Sequence, residues 1–196
     1  SFNPVAVYGR PMGRKIASLA LVLTLGLSAC ASAPKPSTAE VADACLMLRE
    51  NKNWYKSLRA SSKEWGAPMG YQLAVIRQES SFDAKAKAPY GDRKWFGLLR
   101  GDRLSSAYGY AQALDITWET YQKDTGRGGA DRHSFHDATD FIGWYFNTAG
   151  KRANLGQYDF FGHYPAYHES STGYLQGTWR KNDPLVQTAN EVAAQA

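Results

Sequence analysis

Apolar positions in this 196-residue chain recur at helical spacing far more often than they alternate. Met69, Leu73 and Ile76 stand four and three apart, giving one apolar stripe of a helix that runs to about Ser80. Pro68 precedes it where a first-turn proline belongs. Val41 to Glu50 and Trp54 to Trp65 read as two helices broken near Asn51-Lys52-Asn53, with Gly66 closing the second. Ala111 to Lys123 is a further helix, and Gly126 to Gly129 a glycine turn. Ser134, with Asp137 three residues on, is an N-cap for a helix to about Thr148. Tyr158 to Ser170 reads as a helix irregular at Pro165. Pro184 opens a last one, whose Leu185, Ala189 and Val192 share a face. Residues 84–108, with Pro89, Gly91, Gly97 and Gly101, form a long irregular stretch of the kind that is functional or mobile. No internal repeat occurs and strand-like alternation is scarce; small strands near residues 97–108 are compatible with it. The expected class is mainly all-α.

The longest apolar run lies elsewhere, from Ile16 to Leu27, and is shorter than the ~20 residues a membrane span requires. Met12-Gly13-Arg14-Lys15 precedes it and Leu27-Ser28-Ala29-Cys30 follows, the layout of a secretory leader. Met12, not Ser1, is expected as the start. Leu27-Ser28-Ala29-Cys30 resembles the lipobox of bacterial lipoproteins, which implies cleavage before Cys30 and acylation of its thiol. Dual acylation gives stable membrane anchoring. Ala31 after the cysteine implies, by the same resemblance, the periplasmic face of the outer membrane of a diderm cell. Residues 31–39, rich in Ala, Ser and Pro, read as a tether. The expected organisation is a leader over 1–29, a lipidated Cys30 and tether over 30–39, and one domain over 40–196. Cys45 is left without a disulfide partner and is expected as a small buried hydrophobe.

Charge adds little. The formal net charge is +5, but Arg10, Arg14 and Lys15 lie in the leader, and without them 20 basic residues face 18 acidic ones. A body at +2 carries no nucleic-acid footprint. Six Trp and twelve Tyr suit either sugar faces or an aromatic core.

Glu79 changes the picture, because it continues the apolar stripe three residues after Ile76, where burying a carboxylate is costly. A carboxyl in an apolar pocket keeps its proton near neutral pH and can deliver it to a leaving oxygen. Three segments stand in order: Gln78-Glu79-Ser80-Ser81-Phe82, Gly109-Tyr110-Ala111-Gln112 after the long loop, and Ala166-Tyr167-His168-Glu169-Ser170. Together they resemble the SLT-type lytic transglycosylases, relatives in fold of goose-type lysozyme, whose pattern is Glu-Ser, Gly-x-x-Gln and Ala-Tyr-x-x-Gly. The resemblance spans roughly residues 40–195. It implies a lysozyme-like domain without cofactor, acting on peptidoglycan strands. Glu79 would be acid and then base, closing a 1,6-anhydro ring on the sugar without water. It further implies that Gln112 holds an N-acetyl or hydroxyl group of the glycan and that Tyr167 donates its hydroxyl to the catalytic carboxylate. Ser80, Ser106 and Tyr110 are further candidate contacts in the cleft.

This chain departs from the pattern in three places. The Glu79–Gly109 loop is long, Ala111 stands where Met is usual, and His168-Glu169-Ser170 replaces the Asn-Ala-Gly that commonly follows the Tyr. His168 and Glu169 are then candidates for additional polar groups in the cleft, or a helix-surface pair. The four His and the scattered Asp lack zinc or calcium spacing, so no metal is expected. Alternatives are a true hydrolase with water as acceptor, a non-catalytic peptidoglycan-binding lipoprotein, and the same reaction serving a secretion or conjugation machine.

Overall fold

The computed structural model describes residues 35–91 and 102–196. Cys30 and the leader lie outside the described residues, as do the loop glycines Gly97 and Gly101. The architecture is helical, with no strand among the described residues: α1 (Thr38–Ala42), α2 (Ala44–Glu50), α3 (Lys52–Trp65), α4 (Met69–Ser80), α5 (Asp115–Thr125), α6 (Phe135–Ala153), α7 (Phe160–Gln176) and α8 (Asp183–Gln195), with a 3-10 turn at Thr178–Lys181 before the last. This is the all-α class that the helical spacing predicts and the lysozyme-like fold that the family resemblance implies.

α6 forms the spine, packed against α3 on one side and α7 on another, while α8 lies across α7 and α4. Gly143 permits the close α3–α6 approach, since a Cβ there would collide with the Ser61 hydroxyl and the Trp65 ring. α4 runs through the middle. Tyr71, Gln72, Leu73, Ala74, Val75 and Ile76 are all buried, and a helix buried on every face is a core helix. Aromatic rings fill the space between helices, with Trp54 stacked on Phe135 at 4.0 Å between centroids and on Phe82 at 5.8 Å. One buried polar node ties three helices. Asp140 accepts from Trp65 Nε1 at 2.9 Å and Tyr121 Oη at 2.6 Å, and faces Arg127 at 3.1 Å.

Several helix ends follow sequence chemistry. Gly66 takes φ 82° to close α3, Ser134 accepts from the Asp137 N–H to open α6, and Leu185, Ala189 and Val192 form the buried face of α8. Others need correction. The segment from Val41 is interrupted at Asp43, whose carboxylate accepts from the N–H of Cys45 and Leu46 and so starts a new helix. Cys45 is exposed, not buried, because it lies on the outer side of that two-turn helix. The helix expected from Ala111 begins only at Asp115, since residues 108–113 are held in turns and isolated bridges. The break in α7 falls at Ser170, with φ 68° and ψ 162°, and not at Pro165. In place of strands, the long loop has the antiparallel bridges Lys87–Tyr108 and Tyr90–Arg103.

Candidate active site

Glu79 leaves the last turn of α4, where the buried helix meets a cavity. The chain must turn sharply there. Ser81 and Phe82 both adopt left-handed backbone, at φ 49° and 60°, a conformation uncommon for residues with a Cβ. Phe82 is held in it by burial against Trp54. The Ser80 hydroxyl reaches the main-chain carbonyls of Ile76 at 3.1 Å and Tyr110 at 2.9 Å, stapling the helix end to the second motif.

The second motif supplies the opposite wall. Gly109 sits at φ 77°, and a Cβ there would be driven into the carbonyl of Arg132, so the glycine is sterically required. Gln112 also takes positive φ, 47°, and its amide donates to the carbonyls of Ala86 at 3.1 Å and Gly109 at 2.9 Å. With its NH2 committed to main chain, the side chain has its carbonyl oxygen left for a ligand. Arg132 braces the loop from behind, donating to Ser106 and Ala113 carbonyls and pairing with Asp115 at 2.7 Å.

α7 supplies the third wall. Tyr164, Tyr167 and His168 stand three and four apart, so they share one helix face. Tyr164 Oη donates to Glu79 Oε1 at 3.0 Å. Tyr167 Oη instead donates to the Ala111 carbonyl at 2.6 Å, holding α7 to the second motif. The donor to the carboxylate is therefore Tyr164, a residue that sequence reasoning passed over although it lies one turn before Tyr167. His168 Nδ1 lies 3.0 Å from Glu169 Oε1.

These walls enclose a cavity of about 420 Å³ whose lining includes Glu79, Gln112, Tyr145, Tyr167, His168 and Glu169. The structure thus brings Glu79, Gln112 and Tyr167 together, and adds His168 and Glu169 to the same wall. It does not bring the other three sequence candidates onto the lining. Ser80 is spent on the staple just described. Ser106 is exposed, and its hydroxyl accepts from the Asp115 N–H, while its neighbours Ser105 and Ala107 line the cavity. Tyr110 is 1% exposed and packs edge-on to Trp54 and Phe135 as a core residue.

Burial raises the Glu79 carboxyl above the usual carboxylate range, since desolvation disfavours the charged form. The Tyr164 hydrogen bond and the nearby His168 oppose that shift without cancelling it. A half-buried carboxyl whose protonated form burial favours, on a cavity wall with an amide carbonyl and aromatic rings, is equipped for proton transfer to a bound polar substrate. Among the described residues no group of three or more His, Cys, Asp or Glu is arranged to hold a metal ion.

The family model described as "Transglycosylase SLT domain" matches residues 18–196. No curated protein matches the chain. No solved structure matches it either.

Proposed function

Because the chain belongs to the transglycosylase SLT domain family, we propose that it cleaves the β-1,4 bond between N-acetylmuramic acid and N-acetylglucosamine in peptidoglycan and leaves a 1,6-anhydro end. The single observation that carries this reading is the carboxyl of Glu79, half-buried on the cavity wall, raised above the usual carboxylate range by desolvation and oriented by Tyr164.

In this reading the Glu79 proton passes to the glycosidic oxygen as the C1–O bond breaks. The departing sugar leaves as an alcohol, and the positive charge at C1 is stabilised by the substrate's own N-acetyl group. The Glu79 carboxylate then takes the proton of the C6 hydroxyl while O6 bonds to C1. Glu79 regains its proton and no water is consumed, so a second catalytic carboxylate of the usual glycosidase kind is not needed. Desolvation suits both halves, since a carboxyl with a raised pKa is a competent acid and, once ionised, a stronger base. Gln112 would accept from an N-acetyl N–H or a hydroxyl through its free carbonyl oxygen. Tyr167 would fix the wall that Gln112 stands on.

The hydrolytic alternative differs in the acceptor. Digestion of purified sacculi followed by product mass analysis separates the two: anhydro ends are one water lighter than reducing ends. Anhydro products support the proposal, and reducing ends replace it with hydrolysis. Membrane tethering through Cys30, after removal of residues 1–29, is part of the same proposal. The lipobox-like Leu27-Ser28-Ala29-Cys30 supports it, and metabolic labelling with a fatty acid that is lost in Cys30→Ser tests it. Such an anchor would hold the domain beside its substrate at the periplasmic face of an outer membrane.

A further inference from the structure

The cavity that holds Glu79 does not end at Ser170. A second cavity of about 210 Å³ adjoins it, and the two share Thr117, Tyr145 and Ser170 as common wall. The second cavity is lined further by Thr120, Thr148 and Arg152. Its electrostatics differ from those of the first. The Glu79 cavity carries two carboxyls and a histidine, whereas Arg152 is the one charged side chain on the second.

Arg152 has no hydrogen bond or ion pair with any described residue, in contrast to Arg127 and Arg132, which are committed to Asp140 and Asp115. Its charge reaches the wall between the cavities, where it opposes the rise that burial imposes on the Tyr145 hydroxyl. The threonine hydroxyls beside it donate into their own helices, Thr120 to the Ile116 carbonyl at 2.8 Å and Thr148 to the Trp144 carbonyl at 2.9 Å. Their oxygen lone pairs remain for ligand N–H groups. The second cavity therefore offers a guanidinium fork beside hydroxyl acceptors, on a groove continuous with the reacting centre. A guanidinium is suited to bidentate recognition of a carboxylate.

We propose that this side groove receives a carboxylate carried on the 3-substituent of the glycan strand, with Arg152 as its counter-ion, so that Arg152 is a specificity-determining residue of the enzyme. This rests on the peptidoglycan reading of the Glu79 cavity. Two sources share the chemistry: the lactyl carboxylate of a peptide-free muramoyl residue, and a carboxylate of an attached stem peptide.

Binding measured by calorimetry on the cleavage-deficient Glu79→Gln background tests it without turnover. Three ligands are compared: a neutral chitooligosaccharide, a peptide-free N-acetylglucosamine–N-acetylmuramic acid oligomer, and the same oligomer bearing its stem peptides. Arg152→Gln is expected to weaken binding of carboxylate-bearing ligands about 3- to 10-fold, consistent with loss of one charge-assisted contact. The chitooligosaccharide should be unaffected, and Arg152→Lys should recover part of the loss. A loss confined to the peptide-bearing oligomer assigns the groove to a stem-peptide carboxylate, a loss confined to the peptide-free oligomer assigns it to the lactyl carboxylate, which is an amide once the peptide is attached, and a loss with both shows that the groove takes either. An equal effect on the neutral ligand, or none on any, overturns the proposal while leaving the Glu79 reading intact. Failure of the parent protein to bind any of the three overturns both.

Discussion

Position 170 separates backbone strain from side-chain contact. Ser170 lies at φ 68° and ψ 162°, in a region populated almost only by glycine, and a residue with a Cβ held there costs about 1–3 kcal/mol. The family pattern Ala-Tyr-x-x-Gly puts a glycine at this place, and the kink explains why. Ser170 offsets part of the cost by accepting from the Gly173 N–H at 3.3 Å, a long bond at the weak end of about 0.5–1.5 kcal/mol. Ser170→Gly and Ser170→Ala both delete that bond, so their difference isolates the Cβ. Glycine relieves the strain but adds freedom to the unfolded chain, a loss of about 0.4–1 kcal/mol. The balance favours Gly over Ala by about 0.5–2 kcal/mol. Urea unfolding of the two variants measures it directly, and thermal melts should show the glycine variant a few degrees higher. An alanine variant as stable as the glycine one would refute the assignment of strain to this kink.

Other consequences are equally concrete. Tyr164→Phe removes the hydrogen bond that favours the Glu79 carboxylate, so the Glu79 pKa should rise further. The high-pH limb of the kcat/KM profile, set by loss of that proton, should then move to higher pH, and an unmoved limb contradicts the role of Tyr164. Burial holds the folded-state pKa of Glu79 above its unfolded value, so ionising it costs stability as pH rises above about 4. Glu79→Gln should accordingly unfold at higher denaturant than the parent at pH 7. The gain should vanish on acidification toward pH ~4, where the carboxyl is protonated in both states, and a pH-independent difference would speak against the buried carboxyl. Asp140→Ala strips partners from Trp65, Tyr121 and Arg127 at once and should cost about 2–4 kcal/mol in chemical denaturation, with a loss under 1 kcal/mol counting against the node.

Much of this arrangement was legible in the chain because it rests on local rules. The stripe through Met69, Leu73 and Ile76 predicts both the helix and the inward aim of Glu79, and the caps at Gly66 and Ser134 act within one turn of themselves. What stayed hidden depends on tertiary partners. Gln112 lies in a turn and not in a helix, because Gly109 must press against the Arg132 carbonyl and the amide of Gln112 is drawn to Ala86. Tyr110 follows Gly109 in the motif yet faces the core, since the turn carries its ring toward Trp54. Tyr164 shares a helix face with Tyr167, so spacing alone does not tell the two tyrosines apart. Only the position of α4 decides that the earlier one meets Glu79. Cys45 was expected inside on residue type, but the cap at Asp43 sets a short helix whose inner side is occupied by Met47.

The central claim is that one carboxyl at position 79 carries the proton both ways. The most direct measurement is the rate of muropeptide release from purified sacculi by the wild type and by Glu79→Gln, with unfolding curves confirming that both are folded. A fall of about 100- to 10,000-fold in the variant, the usual worth of a positioned acid–base group, is the expected result. Release by Glu79→Gln at the parent's rate would contradict the account.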